Sequence, residues 1–384
     1  MAPRRVSVLG ATGSVGRTTA ALLAAHRDKF QVDALVAGRN VQLLAAQARD
    51  LGARLAVVAD PAALQALRHE LSGSGIEAAA GPDAVCEAAG RPVDLVVAAI
   101  VGTAGLLPTL TAVRSGVAVA LANKECLVSA GHLFMAEVAR TGAALMPVDS
   151  EHSAIFQALA GGLHDQLERI ILTASGGPFR TWSYEQMRAA TRSDALAHPN
   201  FAMGSKITVD SATMMNKGLE LIEAHHLFDL PGERIDILVH PEQAVHGLAE
   251  FADGSMLAQL GAPDMTTPVA VALAWPRRMA AAAPRLDLAK LATLTFLEPD
   301  EKRFPALRLA RQALQSGPAA CCVLNAANEV AVAAFLENRI GFLDIADHVA
   351  ATLDQVSGGA VATFEDLMAL DSAARRCTTR QLAA

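Results

Sequence analysis

Asp149, Ser150 and Glu151 follow an apolar run, AALMPV, that ends at Val148. Two carboxylates this close repel unless one protonates or a cation sits between them. Donors made only of oxygen suit hard cations such as Mg²⁺ or Mn²⁺. If the run is a strand, residues two apart share a face. Asp149 and Glu151 are then expected side by side at the carboxyl edge of a parallel sheet, where ligands gather. The same residues also describe a helix cap, with Asp149 or Ser150 starting the helix HSAIFQALA.

A second set stands in VDSATMMNKGLE, Val209 to Glu220. On a helix, Asn216 and Lys217 share a face with Glu220 at i,i+4 and i,i+3 spacing. Ser211 is expected just before that helix. Hydroxyl, amide, amine and carboxylate groups around one helix start can hold a phosphate and a metal. They also describe an ordinary capped amphipathic helix carrying an ion pair.

A third set is GATGSVG, Gly10 to Gly16, directly after the first apolar run. Glycines at this spacing allow a tight turn, and the helix that follows offers free N–H groups to a pyrophosphate. The second apolar run ends Ala37-Gly38-Arg39-Asn40. No acid stands there to hold a ribose 2′-hydroxyl. Arg39 suits a 2′-phosphate instead, which favours NADP over NAD.

These residues need elements to position them. Continuous apolar runs at Arg5–Gly10, Gln31–Gly38, Ala53–Ala59, Val93–Val101, Val117–Ala122 and Ala143–Val148 alternate with helical patterns. That is the signature of a doubly wound, Rossmann-type parallel sheet in an α/β chain. An α+β region follows, with strands at Arg169–Ala174, Ile235–His240 and Val245–Phe251 and a hairpin through Asp253-Gly254. A C-terminal helical bundle ends the chain. The expected divisions are a cofactor domain over 1–149 and a metal and substrate domain over 150–276 with a weakly patterned flap near 175–205. A linker over 277–303 and a helical domain over 304–384 follow. Leu95–Val113 carries no charge and is long enough to span a membrane, but its glycines, proline and threonines read better as a strand, a turn and a helix start.

The composition is 52% hydrophobic and 18% charged, and the net charge of −7 argues against nucleic acid as a partner. Five cysteines without CxxC spacing argue against a disulfide framework or a zinc site, and point to reduced thiols in the cytoplasm. His225, His226, His240 and Cys321-Cys322 are read as structural.

Taken together, GATGSVG, AGRN, AAIVGTAGLLPTL, ANKE, PVDSEHSAIFQ, TASGGPF, HPNFAMGSKITVDSATMMNKGLE, GAPDM and NAANEVAVAAFL resemble, in order, the 1-deoxy-D-xylulose 5-phosphate reductoisomerase family. The resemblance implies an NADPH- and metal-dependent enzyme of non-mevalonate isoprenoid synthesis. It would rearrange its phosphosugar to an aldehyde and reduce that to 2-C-methyl-D-erythritol 4-phosphate. It implies cofactor contacts from Thr12, Gly13, Ser14, Val15, Gly38, Arg39, Asn40, Asn123, Glu125 and Gly204. Asp149, Glu151 and Glu220 would hold Mg²⁺ or Mn²⁺. Lys124, Ser150 and Glu151 would meet substrate oxygens, Lys124, Glu151 and His198 would act in catalysis, and His198 would close over the substrate. Ser175, Ser211, Asn216 and Lys217 would cradle its phosphate beside Glu220. A homodimer is implied, with no nucleic-acid or membrane partner.

Two positions depart from the family pattern: Phe201 stands where a flap Trp is usual, and Thr266 where Arg is usual. Two other readings stay open. A semialdehyde-type NADP dehydrogenase would need a catalytic cysteine with a nearby base and no metal. A non-catalytic NADP-binding protein would need neither the three acids nor Lys124.

Overall fold

Seven segments of the first half form one sheet in this computed structural model, which describes residues 2–160, 164–198, 204–356, 359 and 361–383. They are β1 (Arg4–Leu9), β2 (Phe30–Ala37), β3 (Leu55–Val58), β4 (Glu77–Ala80), β5 (Leu95–Ala98), β6 (Ala118–Leu121) and β7 (Leu145–Pro147). All pair in parallel, in the order β4-β3-β2-β1-β5-β6-β7. Val6, Val8, Val57, Val96 and Leu121 are buried because helices cover the sheet. Those helices are α1 (Ser14–Ala25), α2 (Val41–Leu51), α3 (Leu64–Glu70), α4 (Pro82–Ala89), α5 (Leu106–Arg114) and α6 (Glu125–Thr141), with α7 (Ser150–Leu159) after β7. Strand order reverses between β1 and β5, the switch point at which open α/β sheets bind ligands. The charge-free stretch Leu95–Val113 is β5, a short 3-10 turn and most of α5, as its turn residues imply.

Beyond α7 come β8 (Leu167–Ala174), α8 (Tyr184–Arg188), α9 (Arg192–Leu196), α10 (Ser205–Ala212), α11 (Met215–Phe228), β9 (Ile235–Val239), β10 (Val245–Phe251) and β11 (Met256–Leu260). The second sheet runs β11-β10-β8-β9. Its β11–β10 and β10–β8 pairs are antiparallel, while β8–β9 is parallel, so it is mixed. The remaining helices are α12 (Thr266–Ala274), α13 (Leu288–Leu291), α14 (Ala306–Ser316), α15 (Pro318–Leu336), α16 (Asp344–Gln355) and α17 (Phe364–Gln381).

By packing, the chain divides into two units: residues 1–126, 134–153 and 264–284 in one, and 127–133, 154–263 and 285–384 in the other. The sequence reading kept residues 264–276 with the metal and substrate segment. In the structure they belong to the first unit, where Arg4 Nη1 donates to the Leu273 carbonyl of α12 at 2.9 Å. The core of the second unit joins Leu172 of β8, Phe179, Leu219 and Ile222 of α11, and Leu324 and Phe335 of α15. Phe179 is fully buried, its ring 4.6 Å from those of both Trp182 and Phe342. Truncating such a ring to Ala costs about 3–5 kcal/mol. Helix α15 is apolar and long enough to cross a membrane, but 67% of it is buried within the unit.

Candidate active site

In the first unit, the glycine-rich turn leaves β1 with Gly10 at φ +88°, a conformation costly to other residues. A Cβ on Gly10 would stand 2.4 Å from the Ala99 carbonyl oxygen after β5, and one on Gly16 would stand 2.2 Å from the Gly10 carbonyl oxygen. The backbone therefore closes tightly at the switch point. Gly10 and Ala11 N–H groups donate to Val36 O at 2.9 and 2.7 Å. Gly13 caps α1 without a side chain, so the first-turn N–H groups from Ser14 and Val15 onward have no side-chain acceptor at the cap. Thr12 and Val15 are half-buried, while Gly13 and Ser14 are exposed. This cradle fits a pyrophosphate.

Gly38, Arg39 and Asn40 are exposed past the end of β2. Asn40 caps α2 by accepting from Leu43 N at 3.1 Å. Arg39 Nε lies 2.9 Å from Asp60 Oδ2, with its own side chain 86% exposed. A pair that open contributes no more than about 1 kcal/mol, so little opposes redirecting the guanidinium to a 2′-phosphate.

Asn123 is buried, and its amide ties two loops together. It donates to the Ile100 and Gly102 carbonyls and accepts from Cys126 N at 2.8 Å. This anchors the ANKE turn, which carries Lys124 and the buried Glu125, at the carboxyl end of β6. Lys124 Nζ reaches Asp149 Oδ2 at 2.7 Å. Asp149 Oδ1 accepts the Ser150 N–H at 3.0 Å, and Ser150 Oγ donates to the Glu151 carboxylate. Four predicted site residues thus meet within this unit, beyond the carboxyl ends of the neighbouring strands β6 and β7.

The way they meet corrects the sequence reading. β7 stops at Pro147, so Asp149 and Glu151 are not two same-face strand residues. Asp149 occupies the turn and caps α7, while Glu151 sits in the first helical turn. The helix-cap description and the acidic cluster hold together, since a helix N-terminus stabilises carboxylates.

In the second unit, Ser175 follows β8, and its Oγ accepts the Gly177 N–H at 3.0 Å and lies 3.1 Å from His198 Nε2. Burial pulls the His198 imidazole below its usual value, which keeps it neutral at pH 7. A Cβ on Gly177 would fall 2.6 Å from the Ser211 carbonyl oxygen, so the Ser175 loop and the end of α10 lie against one another. Ser211 was expected just before a helix; it lies instead in the last turn of α10. Met214, at φ +62°, breaks the chain between α10 and α11. The spacing read for α11 is as expected: Asn216 donates to the Glu220 carboxylate, and Lys217 Nζ stands 2.5 Å from Glu220 Oε2. Lys217 and Glu220 are almost wholly buried. Gly204 is exposed at the N-cap of α10.

Within the expected flap, the described residues 175–198 carry two short helices despite their weak periodicity. Ser183 with Gln186, and Thr191 with Asp194, form capping boxes that start α8 and α9. Phe201 lies outside the described residues. Thr266 opens α12, its N–H donating to Asp264 Oδ1 at 2.6 Å. Sequence reasoning missed Asp210, which is buried between Lys206 Nζ at 2.8 Å and Asn328 Nδ2 at 2.8 Å and so pins α10 to α15.

The thiols do not suit nucleophilic chemistry. Cys126 is fully buried, and burial pushes the Cys321 and Cys322 thiols up to about 12. His240 stacks on Phe296 at 4.7 Å, as a structural histidine would.

Three family profiles match the chain. They are described as 1-deoxy-D-xylulose 5-phosphate reductoisomerase (residues 6–131), the C-terminal domain of that enzyme (145–228), and the DXP reductoisomerase C-terminal domain (260–377). The 1-deoxy-D-xylulose 5-phosphate reductoisomerase of Rhodospirillum centenum is 59% identical over 381 residues, covering 99% of this chain and 95% of that protein. The Zymomonas mobilis enzyme of the same name is 54% identical, covering 97% and 96%. A solved structure of the Z. mobilis enzyme in complex with NADPH matches at TM-score 0.95 and 51% identity, over 100% of both chains. A DOX-P reductoisomerase in complex with NADPH, fosmidomycin and magnesium matches at TM-score 0.93 and 40% identity, over 99% of this chain and 98% of that one.

Proposed function

The chain belongs to the 1-deoxy-D-xylulose 5-phosphate reductoisomerase family, and from that premise we propose that it converts 1-deoxy-D-xylulose 5-phosphate to 2-C-methyl-D-erythritol 4-phosphate with NADPH and a divalent cation. The observation that carries the reading is the Lys124–Asp149–Ser150–Glu151 set at the ends of β6 and β7, in the unit that also carries the glycine cradle.

The carboxylates of Asp149, Glu151 and Glu220 are the oxygen donors a hard cation takes, and we assign Mg²⁺ or Mn²⁺ to them. When bound, the cation polarises carbonyl and hydroxyl oxygens, and NADPH supplies the reducing equivalents. Lys124, held by its ion pair with Asp149, offers an ammonium to a substrate oxygen. Ser150 holds a neighbouring oxygen from the same turn. Ser175, Ser211, Asn216 and Lys217 receive the phosphate, Lys217 as its point charge. The neutral His198 at Ser175 donates to or accepts from the substrate without repelling a cation. Thr12 to Val15, Gly38 to Asn40, Asn123, Glu125 and Gly204 are assigned to the NADPH side.

We extend the proposal to a cytoplasmic homodimer. Five free thiols suit a reducing compartment. β11 is an edge strand that exposes Met256, Leu257 and Leu260, the kind of edge that pairing with a second copy would cover.

The test mixes the protein with 1-deoxy-D-xylulose 5-phosphate, NADPH and Mg²⁺ and follows the absorbance of the reduced nicotinamide. Oxidation that stops with chelator and is weak with NADH is expected. Folded, metal-loaded protein that leaves NADPH unoxidised would sink the assignment. Light scattering in solution tests the dimer.

A further inference from the structure

The loop that carries Ser175 is Ser175-Gly176-Gly177-Pro178-Phe179-Arg180-Thr181-Trp182. Phe179 buries its ring in the core. A cavity of about 70 Å³ opens there, lined by Gly176, Arg180, Met214, Val239, Arg303 and Phe304. Two arginines cross this gap. Arg180 Nη1 donates to the Ser175 carbonyl at 2.9 Å. Its stem passes over Gly176, where a Cβ would meet Arg180 Cδ at 2.8 Å, and Gly176 itself stands at φ +79°. Arg303 Nη1 donates in turn to the carbonyls of Arg180 at 3.1 Å and Trp182 at 2.7 Å. Arg303 is aimed by Asp300, whose Oδ2 accepts its Nε at 2.9 Å, and by the Phe304 ring, 5.3 Å from the guanidinium carbon. Asp300 Oδ1 takes the N–H groups of Lys302 and Arg303 at 3.0 and 3.1 Å, so its carboxylate is fixed as well.

We propose that Arg303 and Arg180 are positioning residues for phosphate recognition: Arg303 fixes the backbone at Arg180, and Arg180 fixes the Ser175 backbone, which sets where the Ser175 hydroxyl and the Gly177 N–H point. Neither arginine is a ligand of the substrate in this arrangement. The Nη1 of each donates to loop carbonyls, and the loop presents the oxyanion contacts. The inference rests on the reading of Ser175 as a phosphate contact.

Steady-state kinetics on Arg303→Met, Arg303→Lys, Arg180→Met and Ser175→Ala test it, with inorganic phosphate as a competing probe. Loss of the charge-assisted bonds in Arg303→Met or Arg180→Met is expected to raise the substrate KM about tenfold and to weaken inhibition by phosphate equally. The KM for NADPH should stay unchanged, and kcat should fall less than about threefold. Arg303→Lys, which keeps a cation but loses the two-carbonyl fork, is expected to recover part of the KM and decides the matter if Arg303→Met does not fold. A substrate KM within about twofold of the parent in the arginine variants, beside a raised KM in Ser175→Ala, overturns the proposal. So does a loss shared equally by kcat and both KM values, which marks general damage to the fold. An unchanged KM in Ser175→Ala removes the phosphate-loop reading itself, and the proposal with it.

Discussion

Lys124 and Asp149 form a 2.7 Å ion pair between two adjacent strand ends, with side chains only 9% and 18% exposed. Their strands are parallel neighbours, so the pair spans the gap where β6 and β7 finish. Removing water from two opposite charges is repaid only by close geometry. The pair therefore fixes both groups.

Replacing Lys124 by Gln should lower kcat/KM by about 100-fold or more, as loss of a preorganised charge in an active site does. The Mg²⁺ concentration giving half-maximal turnover should not rise, because the carboxylate loses a competing cation. A metal titration of the variant separates the two effects: a large rise in the Mg²⁺ requirement would show that Lys124 supports the metal site instead of the substrate.

Glu220 and Lys217 give a second prediction. Both are at most 4% exposed, and their pair is 2.5 Å long. Glu220→Gln breaks this buried ion pair, which costs roughly 3–5 kcal/mol. Metal-dependent turnover should disappear as well. The double variant Lys217→Met/Glu220→Gln should regain most of the stability without regaining activity. Urea unfolding beside a turnover assay checks both parts, and activity in the double variant would remove Glu220 from the metal set.

Arg39 should control cofactor choice. It pairs with Asp60 in an exposed ion pair that costs little to break. Arg39→Ala is expected to raise the KM for NADPH about tenfold and to leave that for NADH nearly unchanged, because only the 2′-phosphate loses a partner. Equal changes for both cofactors would refute the assignment.

The sequence made some of this arrangement legible, and the reasons for the rest are local. Buried parallel strands read as mainly apolar runs, so β1, β2, β5 and β6 were visible. β4 (EAAA) was not, since it is a short, partly exposed edge strand with no apolar run. The i,i+3 and i,i+4 contacts of Lys217 and Asn216 with Glu220 depend only on helix geometry and held. The shared strand face of Asp149 and Glu151 failed because β7 ends two residues before Asp149, which caps a helix instead. The break between α10 and α11 falls on Met214 at φ +62°, with neither Gly nor Pro there to announce it. The Arg303–Arg180 contact joins residues 123 apart, beyond any local pattern.

His226 supplies a pH prediction. Its ring fills the space that a Cβ on Gly131 would need, 2.1 Å from Cδ2. Burial, and then the neighbouring His225 and His132, lower its pKa from 6.5 to about 4. The folded chain therefore stays unprotonated at this ring while the unfolded chain takes up a proton near pH 6.5. Between those values the unfolded state binds more protons, so stability falls as pH drops from 6.5 to about 4 and this contribution levels off below. The loss amounts to about 3 kcal/mol. In His226→Gln, urea midpoints measured from neutral pH down through that window should show a shallower decline than the parent. Equal slopes in parent and variant would mean that the ring titrates normally in the folded state, and that its packing on Gly131 does not exclude water.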